Sequence, residues 1–252
     1  MYSTNIDYKK LYDRVGGLIG WDFSNLQVET EDKKWNFYKE VVAKAKSNFR
    51  LLDIGTGGGE AVLKIRNNFT EIIGIDFSVN MIMTAKANLK KSKATNVIFK
   101  LMDAKQLEFQ DNYFDIVSDR HCEFSAFEIA RVLKPGGYFL TQQVSEGDKL
   151  NIKQAFGRGQ DWGVKEGIAM KKYITKLKTA GFVNIKVYTY NVKEWYKSAE
   201  DLIFLLRHTP IIPNFGKKPE DFAVLDRFIA DNSSQSGILT NSKRYMLIAR
   251  LA

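Results

Sequence analysis

A chain of 252 residues, 44% hydrophobic and 27% charged, has the makeup of one folded globular domain, and no run of about 18 apolar residues marks a membrane span. A single cysteine, Cys122, and two histidines, His121 and His208, exclude an intramolecular disulfide, a Cys-based metal cage and a His-rich metal site, so no metal is expected. A formal net charge of +9 suits nucleic acid, a membrane surface or an anionic small molecule, and of these no membrane partner is expected.

In chain order, the apolar residues Trp35, Phe37, Tyr38, Val41, Val42 and Ala45 recur at helical spacing and predict a helix over 33–48. The short apolar run at 49–54 predicts a buried strand, followed by a helix from Glu60 to Phe69 and a second strand at 71–76. Ser78 is placed to cap a helix running to about Lys91, and strands at 96–103 and 113–119 follow. A helix from Phe124 to Leu133 stops at Lys134-Pro135-Gly136-Gly137 before a fifth strand at 138–144. The pattern closes with a helix from Met170 to Ala180, a strand at 182–192, helical pieces near 199–207 and 219–231, and a last strand at 243–251. Strand alternating with helix five times over predicts an α/β doubly wound sheet with helices on both faces.

The strongest local signal is Asp53-Ile54-Gly55-Thr56-Gly57-Gly58-Gly59, between a predicted strand and a predicted helix. A dinucleotide fingerprint would place a third small residue at position 60, where the chain has Glu60, and no P-loop pattern is present. The loop reads instead as D-x-G-x-G-x-G and resembles the first motif of the class I S-adenosylmethionine-dependent methyltransferases. The resemblance extends in order through Asp76 at the end of the second strand, Asp103-Ala104 after the third, Asp115 to Asp119 on the fourth, Leu133 to Gly137 before the fifth, and Gly181-Phe182 entering the sixth.

That resemblance implies a Rossmann-like methyltransferase fold of seven strands, the first six parallel and the seventh antiparallel. It implies one domain over 1–252, with its core at 33–192 and 243–251 and lid segments at 1–32, 146–168 and 196–241. It implies an enzyme that uses S-adenosylmethionine and releases S-adenosylhomocysteine. Cofactor contacts are expected from Asp53, Gly55, Thr56, Gly57, Asp76, Phe77, Ser78, Met81, Asp103, Ala104 and Asp119. In the family, the residue at Asp76 takes the ribose hydroxyls, the pair at Asp103-Ala104 reads the adenine, and Phe77 covers its ring. Plainer readings stay open beside these: Asp53 as an acceptor for turn N–H groups, Asp76 as a turn residue and Asp103 as a helix cap.

At the exit of the fourth strand the chain has Asp119-Arg120-His121-Cys122-Glu123-Phe124 rather than the [DN]-P-P-[YF] of enzymes that methylate nucleobase amines. His121 is the candidate catalytic base, set against a packing or helix-capping role, and Cys122 reads as a small hydrophobe rather than a nucleophile. The expected acceptor is an oxygen or nitrogen atom of a small molecule. RNA, favoured by the charge and by lysine groups at Lys86, Lys90, Lys91 and Lys93 and at Lys171, Lys172, Lys176 and Lys178, is the alternative, although the same lysines fit solvated helix faces. A protein substrate and a non-catalytic regulator complete the set. Aromatic residues in the lid segments, Tyr8, Tyr12, Trp21 and Phe23, Phe156 and Trp162, and Phe204 and Phe215, suit either a substrate lid or a satellite core. The opening residues carry no apolar stretch of the secretory type, so the expected location is cytoplasmic.

Overall fold

The computed structural model describes residues 26–252, in two compact units. Tyr8, Tyr12, Trp21, Asp22 and Phe23 lie outside the described residues. The larger unit comprises residues 34–145, 167–189 and 244–252, and the smaller comprises 26–33, 146–166 and 190–243. Among the described residues no helix is long and apolar enough to cross a membrane.

The larger unit runs α1 (Phe37–Val42), β2 (Arg50–Ile54), α2 (Glu60–Ile65), β3 (Glu71–Asp76), α3 (Val79–Ser92), β4 (Val97–Leu101), β5 (Phe114–Arg120), α4 (Ala126–Val132), β6 (Leu133–Val144) and α6 (Ile168–Thr179). It also holds the first part of β7 (Phe182–Tyr196) and the last part of β9 (Gly237–Leu251). The strand order is β7-β9-β6-β5-β2-β3-β4. Strands β2, β3, β4, β5 and β6 pair in parallel, and β9 lies antiparallel to β6. This is the doubly wound, mostly parallel α/β fold that the strand–helix alternation predicts.

Strand side chains alternate between faces, and here neighbouring residues divide between two cores. Leu52, Ile73, Val117, Phe139 and Leu247 pack on one face with Ile129 and Val132 of α4 and Leu177 of α6. Leu51, Ile72, Ile116, Leu140 and Met246 pack on the other with α1, α2 and α3. Each such fully buried side chain contributes about 1.5–3 kcal/mol, which is why the strands read as continuous apolar runs.

Several elements differ from their predicted bounds. Helix α1 is shorter because Asn36 caps it, its side chain accepting from the Lys39 N–H at 3.2 Å, which leaves Trp35 outside the helix. The stretch after Ile65 tightens into a 3-10 turn at Arg66–Asn68. Strand β6 begins at Leu133 rather than at 138. Leu133 pairs with Phe114 and Tyr138 with Ile116, so Lys134 to Gly137 form a bulge opposite Asp115, held by a Lys134 Nζ–Asp115 Oδ1 contact of 2.7 Å.

In the smaller unit, β1 (Val28–Thr30) pairs with the far end of β7, and β8 (Ser233–Ser234) pairs with the start of β9. Around them lie α5 (Leu150–Phe156), α7 (Ala199–His208) and α8 (Glu220–Asn232). Phe156, Phe204 and Phe215 pack with Leu202, Leu206 and Leu225 into a core of this unit's own, whereas Trp162 is exposed.

Candidate functional site

Because β2, β3, β4 and β5 are parallel, their carboxyl ends share one edge of the larger unit, the edge where open α/β sheets bind ligands. Each strand delivers a polar group there.

From β2 the chain enters the glycine loop. Gly57 has φ +57°, and an added Cβ would meet no protein atom within 4 Å, so its backbone faces open space. Gly55 has φ +68°, and a Cβ there would come within 2.9 Å of Cys122 Cβ. Thr56 lies between them with its side chain turned inward against Gly74, and its N–H donates to the Ile75 carbonyl at 2.9 Å.

From β3 comes Asp76. Its Oδ2 accepts from the Gly57 N–H at 3.0 Å and its Oδ1 from the Ser78 N–H at 2.9 Å. Each oxygen holds one backbone donor and keeps further lone-pair capacity. Phe77, next in sequence, is 78% exposed. Ser78 caps α3, its hydroxyl accepting from the Met81 N–H. From β4 comes Asp103, whose Oδ1 accepts from the Lys105 N–H at 2.8 Å, a local turn rather than a helix cap; Ala104 beside it is buried. The structure thus brings Gly57, Asp76 and Ser78 into direct contact.

Asp53 and Asp119 sit differently. Asp53 is fully buried, and its carboxylate accepts from the Ser118 hydroxyl at 2.5 Å and from the Tyr38 hydroxyl at 3.3 Å. Its partners are side-chain hydroxyls, not the turn N–H groups of the plainer reading. Burial raises its pKa to about 6, against the lowering effect of those hydroxyls. Asp119 is also fully buried. Its Oδ2 accepts from Thr141 Oγ1 and Gln143 Nε2, both at 2.7 Å, while its Oδ1 has no hydrogen-bond partner among the described residues. Burial pushes its pKa well up, reinforced by the neighbouring Asp53 charge.

His121 follows directly. It is a non-glycine residue with φ +62°, a conformation that concentrates at functional sites. Its N–H donates to the Gln142 carbonyl at 2.9 Å, and its Nε2 lies 3.2 Å from Gln142 Nε2. Helix α4 is capped by Ser125, so His121 does not cap it. The residue keeps accessible surface, yet loss of hydration around the ring, and then the guanidinium charges of Arg244 and Arg120, hold its pKa well below the usual imidazole value. Burial, with the charges of Asp119 and Asp76, pushes the Cys122 thiol up to about 12, which leaves it a poor nucleophile.

The sequence reading missed Trp35, Tyr38, Ser118, Thr141, Gln142 and Gln143 as members of this site. For Thr141 and Gln142 the signal is strand register, Asp119 pairing with Thr141 and Arg120 with Gln142 across β5 and β6. No group of three or more His, Cys, Asp or Glu side chains arranged to hold a metal occurs among the described residues.

Residues 45–199 match the methyltransferase domain family, and the chain belongs to that family, the class I S-adenosylmethionine-dependent methyltransferases. It is 34% identical over 124 residues to the demethylmenaquinone methyltransferase of Leptospira interrogans, covering 45% of this chain and 50% of that one. It is 29% identical over 167 residues to the malonyl-[acyl-carrier protein] O-methyltransferase of Marinomonas, covering 62% and 61%. The chain thus spans about half the length of the first of these relatives. The crystal structure of the YcgJ protein from Bacillus subtilis shares the fold, with a TM-score of 0.61 at 20% identity, over 84% of this chain and 97% of that one.

Proposed function

We propose that the chain transfers a methyl group from S-adenosylmethionine to an oxygen or nitrogen atom of a small molecule. The observation that carries this reading is the Asp76 carboxylate, clamped by the Gly57 and Ser78 N–H groups with lone pairs left for a vicinal diol. The rest of the edge fits the same cofactor. Asp103 retains an oxygen for an adenine amino group, with the Ala104 N–H beside it, and exposed Phe77 offers a flat apolar face. The buried Asp119 Oδ1 lacks a donor, as suits an ammonium group. Gly55, Thr56 and Gly57 contribute backbone, Met81 flanks the capped start of α3, and Asp53 shapes the loop from below rather than touching the ligand. When bound, the cofactor supplies a methyl group already activated by a sulfonium. The protein's own part is then to bind, orient and exclude water. The relatives named for demethylmenaquinone and malonyl-acyl-carrier-protein methylation support a small-molecule acceptor.

Titration calorimetry with S-adenosylmethionine tests this. The wild type should bind, and Asp76→Ala should bind roughly tenfold to a hundredfold more weakly, the loss expected from one or two hydrogen bonds to a charged acceptor. A folded wild type that binds no S-adenosylmethionine overturns the reading. S-adenosylhomocysteine release should then appear with phenols, carboxylic acids or amines; release with RNA alone would overturn the choice of acceptor.

A further inference from the structure

Gln142 is buried on β6 between two aromatic heterocycles. On one side the Trp35 indole Nε1–H donates to Gln142 Oε1 at 2.9 Å. An indole nitrogen is only a donor, so this bond fixes which end of the amide is oxygen. The amide NH2 therefore faces the other side, where Gln142 Nε2 lies 3.2 Å from His121 Nε2. A donor facing a ring nitrogen requires that nitrogen to be an acceptor. In a neutral imidazole the ring proton then sits on Nδ1, which has no hydrogen-bond partner among the described residues.

We propose that Trp35 and Gln142 are positioning residues that hold His121 as the neutral Nδ1–H tautomer, so that it offers a hydrogen bond to an anionic oxygen of the methyl acceptor rather than taking a proton from it. This rests on the methyl-transfer reading above and narrows it. An acceptor served by such a histidine arrives with its nucleophilic electron pair already free, as a carboxylate or phenolate does and an alcohol does not. The charges around the ring agree. Arg120 on β5 and Arg244 on β9 are the charged groups acting on it, and both disfavour an imidazolium while favouring a bound anion.

The test reads the ring directly. Long-range 1H–15N spectra of the folded, S-adenosylhomocysteine-loaded full chain should show the His121 ring, assigned by its absence from His121→Asn, locked with its proton on Nδ1 through the neutral pH range; His208, whose Nδ1 donates to the Phe204 carbonyl at 2.8 Å, supplies the reference shifts for that tautomer. Gln142→Glu replaces the donor by an acceptor at nearly the same shape. It should move the His121 proton to Nε2 or create an imidazolium near pH 7, a change that a merely structural glutamine would not produce. Trp35→Phe, which frees the amide to rotate, should give a mixture of tautomers. Acetate, added as a carboxylate probe to tens of millimolar, should shift the Nδ1–H resonance of the wild type. An Nε2–H or imidazolium form in the wild type, an unchanged tautomer in Gln142→Glu, or no response to acetate would each overturn the proposal. Calorimetry on the same samples keeps the two failures apart: loss of S-adenosylmethionine binding sinks the methyltransferase reading, whereas the tautomer stands or falls alone.

Discussion

The two units bury polar groups for opposite ends. In the larger unit, Asp53 and Asp119 are buried with no ion pair among the described residues, held by neutral donors, and both have raised pKa values. In the smaller unit, buried charge is matched by opposite charge. Lys149 Nζ lies 2.6 Å from Glu194 Oε2 with only 2% of its side chain exposed, and Arg158 Nη2 lies 2.7 Å from Asp221 Oδ1. Lys153 departs from this pattern: also buried, its Nζ donates to backbone carbonyls, that of Gln160 at 3.0 Å among them, and burial lowers its pKa. A compensated ion pair joins distant chain segments, here residues 45 and 63 apart, and makes one pairing the only tolerable one. An uncompensated carboxylate keeps an electrostatic demand unmet, a condition that clusters at functional sites. The contrast separates two buried ion pairs that tie distant segments together from two buried carboxylates left without one.

Breaking the compensated pair should have the largest effect. Lys149→Met leaves Glu194 buried beside an apolar group and should cost about 3–5 kcal/mol. Hydrogen exchange should accelerate over 146–166 and 190–243 while β2 to β5 stay protected. Adding Glu194→Leu should restore much of the loss, since removing both charges costs far less than removing one; equal loss in the single and double variants would contradict the pairing argument.

The uncompensated carboxylates predict a pH effect of the opposite kind. The folded pKa of Asp53, about 6, lies above its ordinary value of 3.8, so the native state binds the proton more tightly. The stability this confers is fully present below about pH 3.8 and is lost as pH rises toward about 6. It is worth up to about 3 kcal/mol. Urea unfolding across that window should show a falling component in the wild type that is missing in Asp53→Asn. Coincident curves would place Asp53 in a better solvated setting than its burial implies.

The smallest effect concerns the local frame of the ligand edge. Ser78→Ala removes the cap of α3 and should cost about 1 kcal/mol, measured as a shift in the urea midpoint, with Asp76 still held by the Gly57 N–H. A cost near zero would mean that tertiary packing, not capping, fixes the start of that helix.

Much of the larger unit was legible because its information is local. Buried parallel strands must be apolar on both faces, so the runs at 50–54 and 71–76 stand out, and one helix begins where Ser78 caps it. The glycine loop and Asp76 were legible for the same reason: a turn that must take positive φ beside a ligand leaves glycines in a recognisable order. Strands β7 and β9 were read too short. Sequence pattern stops β7 at Val192 because Lys193 and Glu194 look solvated, yet Glu194 is buried as the partner of Lys149. It starts β9 at 243 because Thr240 and Ser242 look like loop residues, yet both are buried, Thr240 donating its hydroxyl to Asn151 Oδ1 at 2.8 Å. A polar residue that is buried because a partner far along the chain meets it carries no local mark.

The sequence by itself determined the class of fold and the succession of its elements along the chain, because periodicity, capping and glycine placement act over a few residues. Only the tertiary structure decided which carboxylate faces inward and which faces the ligand edge, and what state His121 is in. Asp53 and Asp76 end neighbouring strands with the same side chain. Asp53 meets the hydroxyls of Ser118 and Tyr38 in the interior, Asp76 meets two backbone N–H groups at the rim, and His121 takes its tautomer from an amide oriented by Trp35. Protonation and hydrogen-bond direction follow from three-dimensional neighbours, and most of those neighbours lie far apart along the chain.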